Sequence, residues 1–71
     1  MRLDLHGVKH IDVKRELDKF FWQAMQSKIH QVEVITGHSR EMKDLVFQTC
    51  AEYGLEAKEG LINKGVLFID I

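Results

Sequence analysis

The stretch Val32-Glu33-Val34-Ile35-Thr36-Gly37-His38-Ser39 decides how this chain folds. Its first five residues are rich in β-branched side chains, which fit a pleated surface, and Gly37 stops the run, so it reads as a short central strand over 32–36. A helix follows directly. Ser39 offers an N-cap oxygen, and Met42, Leu45, Val46, Thr49 and Tyr53 trace an apolar stripe as far as Gly54. Gly54 with Leu55 after it fits a left-handed C-cap with a hydrophobic contact beyond.

Towards the N-terminus, Leu3-Asp4-Leu5-His6 alternates apolar and polar side chains, the period of a strand with one face on a core, and Gly7 ends it. From Asp12 to about Ser27, Val13, Leu17, Phe20, Phe21, Ala24 and Met25 recur at spacings of three and four, which predicts a helix. Asp12 near its first turn and Lys28 near its last complement the macrodipole. Towards the C-terminus, residues 55–59 and 66–71 read as two strands joined by a turn containing Gly60, Asn63 and Gly65, with Leu67, Ile69 and Ile71 on one face.

The order is strand, helix, strand, helix, strand, strand. A right-handed crossover makes the first two strands parallel, and a short turn makes the last two antiparallel. The expected fold is therefore a two-layer α/β sandwich, βαβαββ, with a four-stranded mixed sheet carrying two helices on one face. Its other face stays partly open.

Composition sets the outer bounds. Seventy-one residues, 45% of them hydrophobic and 30% charged, make one small folded domain over 1–71 and exclude a multidomain enzyme. Ten Lys and Arg against eleven Asp and Glu leave a net charge of -1, which argues against holding nucleic acid by bulk electrostatics alone. Any phosphate contact must be local. A single Cys50 and the lack of an export leader point to a reducing, cytoplasmic setting, and no apolar run approaches the roughly 20 residues that cross a bilayer, so no membrane is expected.

Parallel strands share the edge at which their carboxyl ends lie, and ligands of open α/β sheets bind at such edges. Asp4, His6 and Gly7 end the first strand; Thr36, Gly37, His38, Ser39 and Arg40 follow the second. A helix N-terminus there offers unsatisfied N–H groups and partial positive charge, and Gly37 permits close backbone approach, so the rim reads as an anion site. His6 and His38 have the chemistry to remove and donate protons during phosphodiester cleavage, with Asp4 orienting one of them. The residues also fit a plainer reading, in which Asp4 and His6 are solvent-side residues of an edge strand and Ser39 is only a cap.

Elsewhere the signals are weaker. Trp22 lies about half a turn from the Val13 and Leu17 stripe, so it should be partly exposed, where a base or a protein partner can cover it. Lys14, Arg15 and Lys19 alternate with Glu16 and Asp18, as on a solubilising face. His10 and His30 lack partners at metal-ligand spacing, so no structural metal is expected; a weakly held Mg²⁺ at Asp4 fits the way that ion combines one carboxylate with substrate phosphate. Cys50 belongs beside the core.

Leu3-Asp4-Leu5-His6-Gly7 resembles the LDLHG signature of the small MutS-related (Smr) domain, and Ile35-Thr36-Gly37-His38-Ser39 is similar to that family's second signature, a Thr-Gly-x-Gly loop followed by His-Ser. Here the chain passes straight from Thr36-Gly37 to His38-Ser39, without the second glycine. The resemblance implies a fold similar to the C-terminal domain of bacterial translation initiation factor three. It also implies nucleic-acid binding and, in several members, endonuclease action on DNA or RNA, with a divalent metal in some. Carried over by position, Asp4, His6 and Gly7 match the first signature, and Thr36, Gly37, His38 and Ser39 the second; Lys9 and Arg40 lie beside them within reach of phosphate. On this reading His6 is the general base and Asp4 its orienting partner or a metal ligand, no cofactor is tightly bound, and the partner is a DNA or RNA backbone. The alternative is a non-catalytic module that binds nucleic acid or a ribonucleoprotein assembly, which the shortened loop favours.

Overall fold

Apolar side chains from every predicted element converge on one core in the structure, a computed structural model that describes residues 1–71. The elements are β1 (Arg2–Asp4), α1 (His10–Gln26), β2 (Gln31–Ile35), α2 (Arg40–Tyr53), β3 (Glu56–Glu59) and β4 (Val66–Asp70). The sheet order is β1-β2-β4-β3, with β1 parallel to β2 and the other pairs antiparallel. This is the four-stranded mixed sheet with two helices that the element order predicts.

Alternation decides which sheet face is covered. Leu5, Val32, Val34, Leu67 and Ile69 are buried beneath Val13, Leu17, Phe21 and Ala24 of α1 and Val46 and Cys50 of α2. Each fully buried Val, Leu, Ile or Phe among them contributes about 1.5–3 kcal/mol relative to exposure. On the other face, Arg2, Glu33, Phe68 and Lys58 form one row across the strands, and this face carries no helix. The helices also meet through aromatic rings: Phe21 and Tyr53 stand edge to face at 5.2 Å. Neither helix is long and apolar enough to cross a membrane.

The ends of the elements differ from the sequence pattern for local reasons. β1 stops at Asp4 instead of His6, because Asp4 Oδ1 accepts the His6 N–H at 2.8 Å and Val8 N–H closes a turn onto the Leu5 carbonyl at 3.0 Å. α1 starts at His10, two residues before Asp12, with Lys9 at the N-cap making no side-chain bond. Lys28 lies past the helix end at φ 57°, so it does not complement the last turn. β2 runs one residue earlier than 32–36, and Ile71 sits beyond β4 with its N–H on the His30 carbonyl at 2.8 Å. Helix α2 agrees with the expectation at both ends: Ser39 Oγ accepts the Met42 N–H at 3.2 Å, and Gly54 adopts φ 71°.

Candidate functional site

The parallel ladder fixes the site. Leu3 pairs with Val34 and Asp4 with Ile35, and the next residue, Leu5, donates its N–H to the Ile35 carbonyl at 2.9 Å. Both strands therefore end at one rim, and the turn at His6 and Gly7 emerges beside the turn at Gly37 and His38. The helices that follow begin at the same rim: His10, first in α1, places Nδ1 3.2 Å from Glu41 Oε2 in the first turn of α2. Two stretches some thirty positions apart are thus joined above and below.

Individual residues depart from the expected roles. The Asp4 carboxylate accepts the backbone N–H of His6, so it holds the turn and not the imidazole ring. His6 and His38 are exposed and their rings have no partner within the protein. Gly7 adopts φ 81°. Thr36 is buried, its hydroxyl donating to the Gly37 carbonyl at 2.9 Å, with the Gly65 carbonyl at 3.3 Å. The Thr36 and Gly37 N–H groups both point to the carbonyl of Gly65, at 2.9 and 3.0 Å. The Gly37 amide is therefore committed within the fold, and the amides left for an anion are those at the start of α2, where Arg40 and Glu41 have no intrahelical acceptor. Lys9 and Arg40 are exposed, Arg40 Nε lying 3.8 Å from Asp44 Oδ1.

Two contributors escape the sequence signatures. Gly65 comes from the turn before β4, brought in because Val66 pairs with Ile35. His10 finds in Glu41 a partner that linear spacing cannot reveal, though helices starting at one rim would have suggested it.

The model of the Smr domain matches residues 3–67, a span that contains both signatures and Gly65. The chain belongs to the Smr domain family. Members of this family generally bind nucleic acid, and some have nuclease activity. No curated protein and no solved structure matches the chain.

The concave surfaces of this Smr domain fall in three places. A cleft of about 600 Å³ lies on the open sheet face around Phe68, Arg2 and Lys58, under the exposed Leu61 and Ile62. A second, of about 640 Å³, follows α1 beside Trp22, Met25 and Tyr53; Trp22 is 64% exposed, in line with its position off the apolar stripe. The third, about 320 Å³, is at the rim between the helices and is lined by His10, Glu41, Asp44, Leu45 and Gln48. Cys50 lies in the core of the Smr domain, where burial pushes its thiol up to about 11, away from nucleophilic use.

Proposed function

We propose that this Smr domain binds a nucleic-acid backbone at the rim formed by the two signatures and cuts it as an endonuclease. The meeting of Asp4-Leu5-His6-Gly7 with Ile35-Thr36-Gly37-His38 across the parallel ladder carries the reading. A phosphate oxygen is held by the first amides of α2 with Lys9 and Arg40 alongside, in the positive end of the helix dipole. Imidazoles at the rim then exchange protons with the attacking and leaving oxygens. Asp4 supports this by fixing the backbone of the turn that carries His6.

A divalent metal, which the family resemblance implies for some members, finds a poor donor set here. Asp4 is a single carboxylate with one oxygen engaged, and no three His, Cys, Asp or Glu side chains converge.

The test incubates the purified chain with labelled single- and double-stranded RNA and DNA, with Mg²⁺ or with chelator, and resolves the products. Cleavage lost in His6→Ala, with the fold retained, supports the reading; cleavage retained removes His6 from it. The second reading, binding without cutting, is favoured by the Gly65 carbonyl that fills the Gly37 loop. Retention of an oligonucleotide with no products in any arm would establish it.

A further inference from the structure

We infer that the cleft under the β3–β4 turn is a subsite for one unpaired nucleotide, so that this domain takes single-stranded nucleic acid. The inference rests on the backbone-binding reading above and extends it to a cleft that contains no residue of either signature.

The turn is tied at several points. Gly60 donates its N–H to the Val66 carbonyl at 2.9 Å, Val66 donates to the Asn63 carbonyl at 3.3 Å, and Asn63 Oδ1 accepts the Gly65 N–H at 2.9 Å. Between these ties Leu61 and Ile62 are held out in solvent, 97% and 101% exposed. Single exposed aliphatic residues are ordinary on a protein surface, but two adjacent ones on a braced turn beside a cleft of about 600 Å³ form a contact surface. Phe68 lies in the same cleft, half-buried on β4, so close to the turn that a methyl group on Gly60 would meet its Cε2 at 3.2 Å. An aromatic ring beside an aliphatic wall is a surface on which a base stacks.

Charge selects the occupant. Arg2 pairs with Glu33 at 3.0 Å and Lys43 Nζ faces Glu59 at 3.9 Å, so each carboxylate lining the cleft has a cation beside it. Lys58, opposite Phe68 across the strands, and Lys64 in the turn are exposed and have no carboxylate within 4 Å. Glu56 and Asp70, the other carboxylates of β3 and β4, pair at the opposite end of the sheet. The uncompensated charge near the turn is therefore positive and complements phosphate. The Arg2–Glu33 pair adds N–H donors and a carboxylate oxygen of the kind that hydrogen-bond base edges.

Position links the cleft to the rim. The Gly65 carbonyl ties the turn to Thr36 and Gly37, and Phe68 follows Val66 by two residues, about 7 Å along the strand. A strand with one phosphate at the rim thus reaches the cleft with a neighbouring nucleotide. Bases stacked and paired inside a duplex cannot enter such a cleft, whereas an unpaired base can splay into it.

The experiment measures binding of labelled oligo-dT, oligo-U, oligo-A and a matched duplex by fluorescence anisotropy. The full chain is compared with Phe68→Leu, Phe68→Tyr, Lys58→Ala and the double variant Leu61→Ser with Ile62→Ser, with a melting curve for each. NMR titration of the wild type locates the contacts, and sedimentation gives its oligomeric state. The expected result is tighter binding of single strands than of the duplex, with amide and methyl shifts at Phe68, Leu61 and Ile62. Affinity falls about tenfold in Phe68→Leu and in the double variant, stays near wild type in Phe68→Tyr, and melting is kept. Lys58→Ala weakens all single strands alike and lowers the salt dependence by about one released ion. Shifts confined to the signature turns and the start of α2, with affinity unchanged in Phe68→Leu and in the double variant, overturn the subsite and leave the backbone-binding reading standing. Duplex binding as tight as that of single strands has the same consequence. No binding of any nucleic acid overturns both. Shifts at Leu61 and Ile62 that follow protein concentration alone, with a dimer in sedimentation, give the face to a second copy of the chain and overturn the subsite.

Discussion

The carbonyl oxygen of Gly65 accepts the N–H groups of both Thr36 and Gly37, at 2.9 and 3.0 Å, and so clamps the second signature to the hairpin that closes the sheet. Gly65 and Gly37 approach closely because neither carries a side chain at the contact. A methyl group on Gly65 would stand 3.2 Å from the Gly37 Cα and 3.3 Å from its carbonyl carbon.

Gly65→Ala should therefore force the backbone of the Gly37 turn to shift, since the neighbour that must yield is itself hydrogen-bonded. The expected cost is about 1–2 kcal/mol, as for other small overpackings. Urea unfolding measures it, and hydrogen exchange should show the Thr36 and Gly37 amides losing protection ahead of those in α1. Unchanged protection at both amides would mean that the hairpin does not brace the loop.

Asp4 separates charge from hydrogen bonding at the first signature. Its Oδ1 accepts the His6 N–H, a bond that an asparagine side chain can reproduce and an alanine cannot. Asp4→Ala should cost about 1 kcal/mol, and Asp4→Asn much less. If both variants cut nucleic acid alike once folded, the charge of Asp4 has no part in the chemistry; loss of cleavage in Asp4→Asn with stability kept gives it one.

Much of this fold was legible because the signals were local. The three-and-four spacing from Val13 to Ala24, the Ser39 cap and the Gly54 stop each depend on residues within a turn or two, and all three appear where their spacing puts them. The rim was legible too, since a parallel β1 and β2 must end together. What the sequence concealed depends on pairing between distant segments. Nothing near Gly65 indicates that β4 will lie antiparallel to β2 with Val66 opposite Ile35, so its carbonyl could not be placed on the Gly37 loop. His10 and Glu41 are thirty-one positions apart on different helices, and each alone looks like a solvated polar residue. The early end of β1 is a smaller case, in which the Asp4 side chain competes with the ladder for the backbone of His6.

Across the helices, the Tyr53 hydroxyl donates to Asp18 Oδ1, and Lys14 Nζ approaches the same carboxylate at 3.4 Å. The Tyr53 hydrogen bond, more than Lys14, holds the Asp18 carboxyl below its ordinary value, and the same bond raises the Tyr53 phenol. A depressed carboxyl stabilises the fold above its unfolded value, and that contribution fades as pH falls through the folded one. Tyr53→Phe keeps the ring against Phe21 and deletes only the hydroxyl. NMR titration should find Asp18 moved up towards the usual carboxylate range, at a stability cost under about 1 kcal/mol for so exposed a pair. An Asp18 titration left where it was would show that Lys14 alone sets it.

Cys50 gives the opposite dependence at alkaline pH. It is 1% exposed, and burial pushes its thiol from 9.0 to about 11. Between those values the unfolded chain gives up the thiol proton while the folded chain keeps it. The folded state then binds more protons, so stability is fully present below about pH 9 and declines as pH rises towards 11. The Tyr53 phenol, raised in the same sense, adds to the decline. Cys50→Ala should lose about 1–2 kcal/mol at neutral pH through the vacated volume, yet show a shallower fall between pH 9 and 11 than the wild type. Iodoacetamide gives a second measure: alkylation of the native chain at pH 8 should proceed only through unfolding, and its rate should rise in urea along the unfolding curve. Rapid alkylation of the folded chain would place the thiol outside the core.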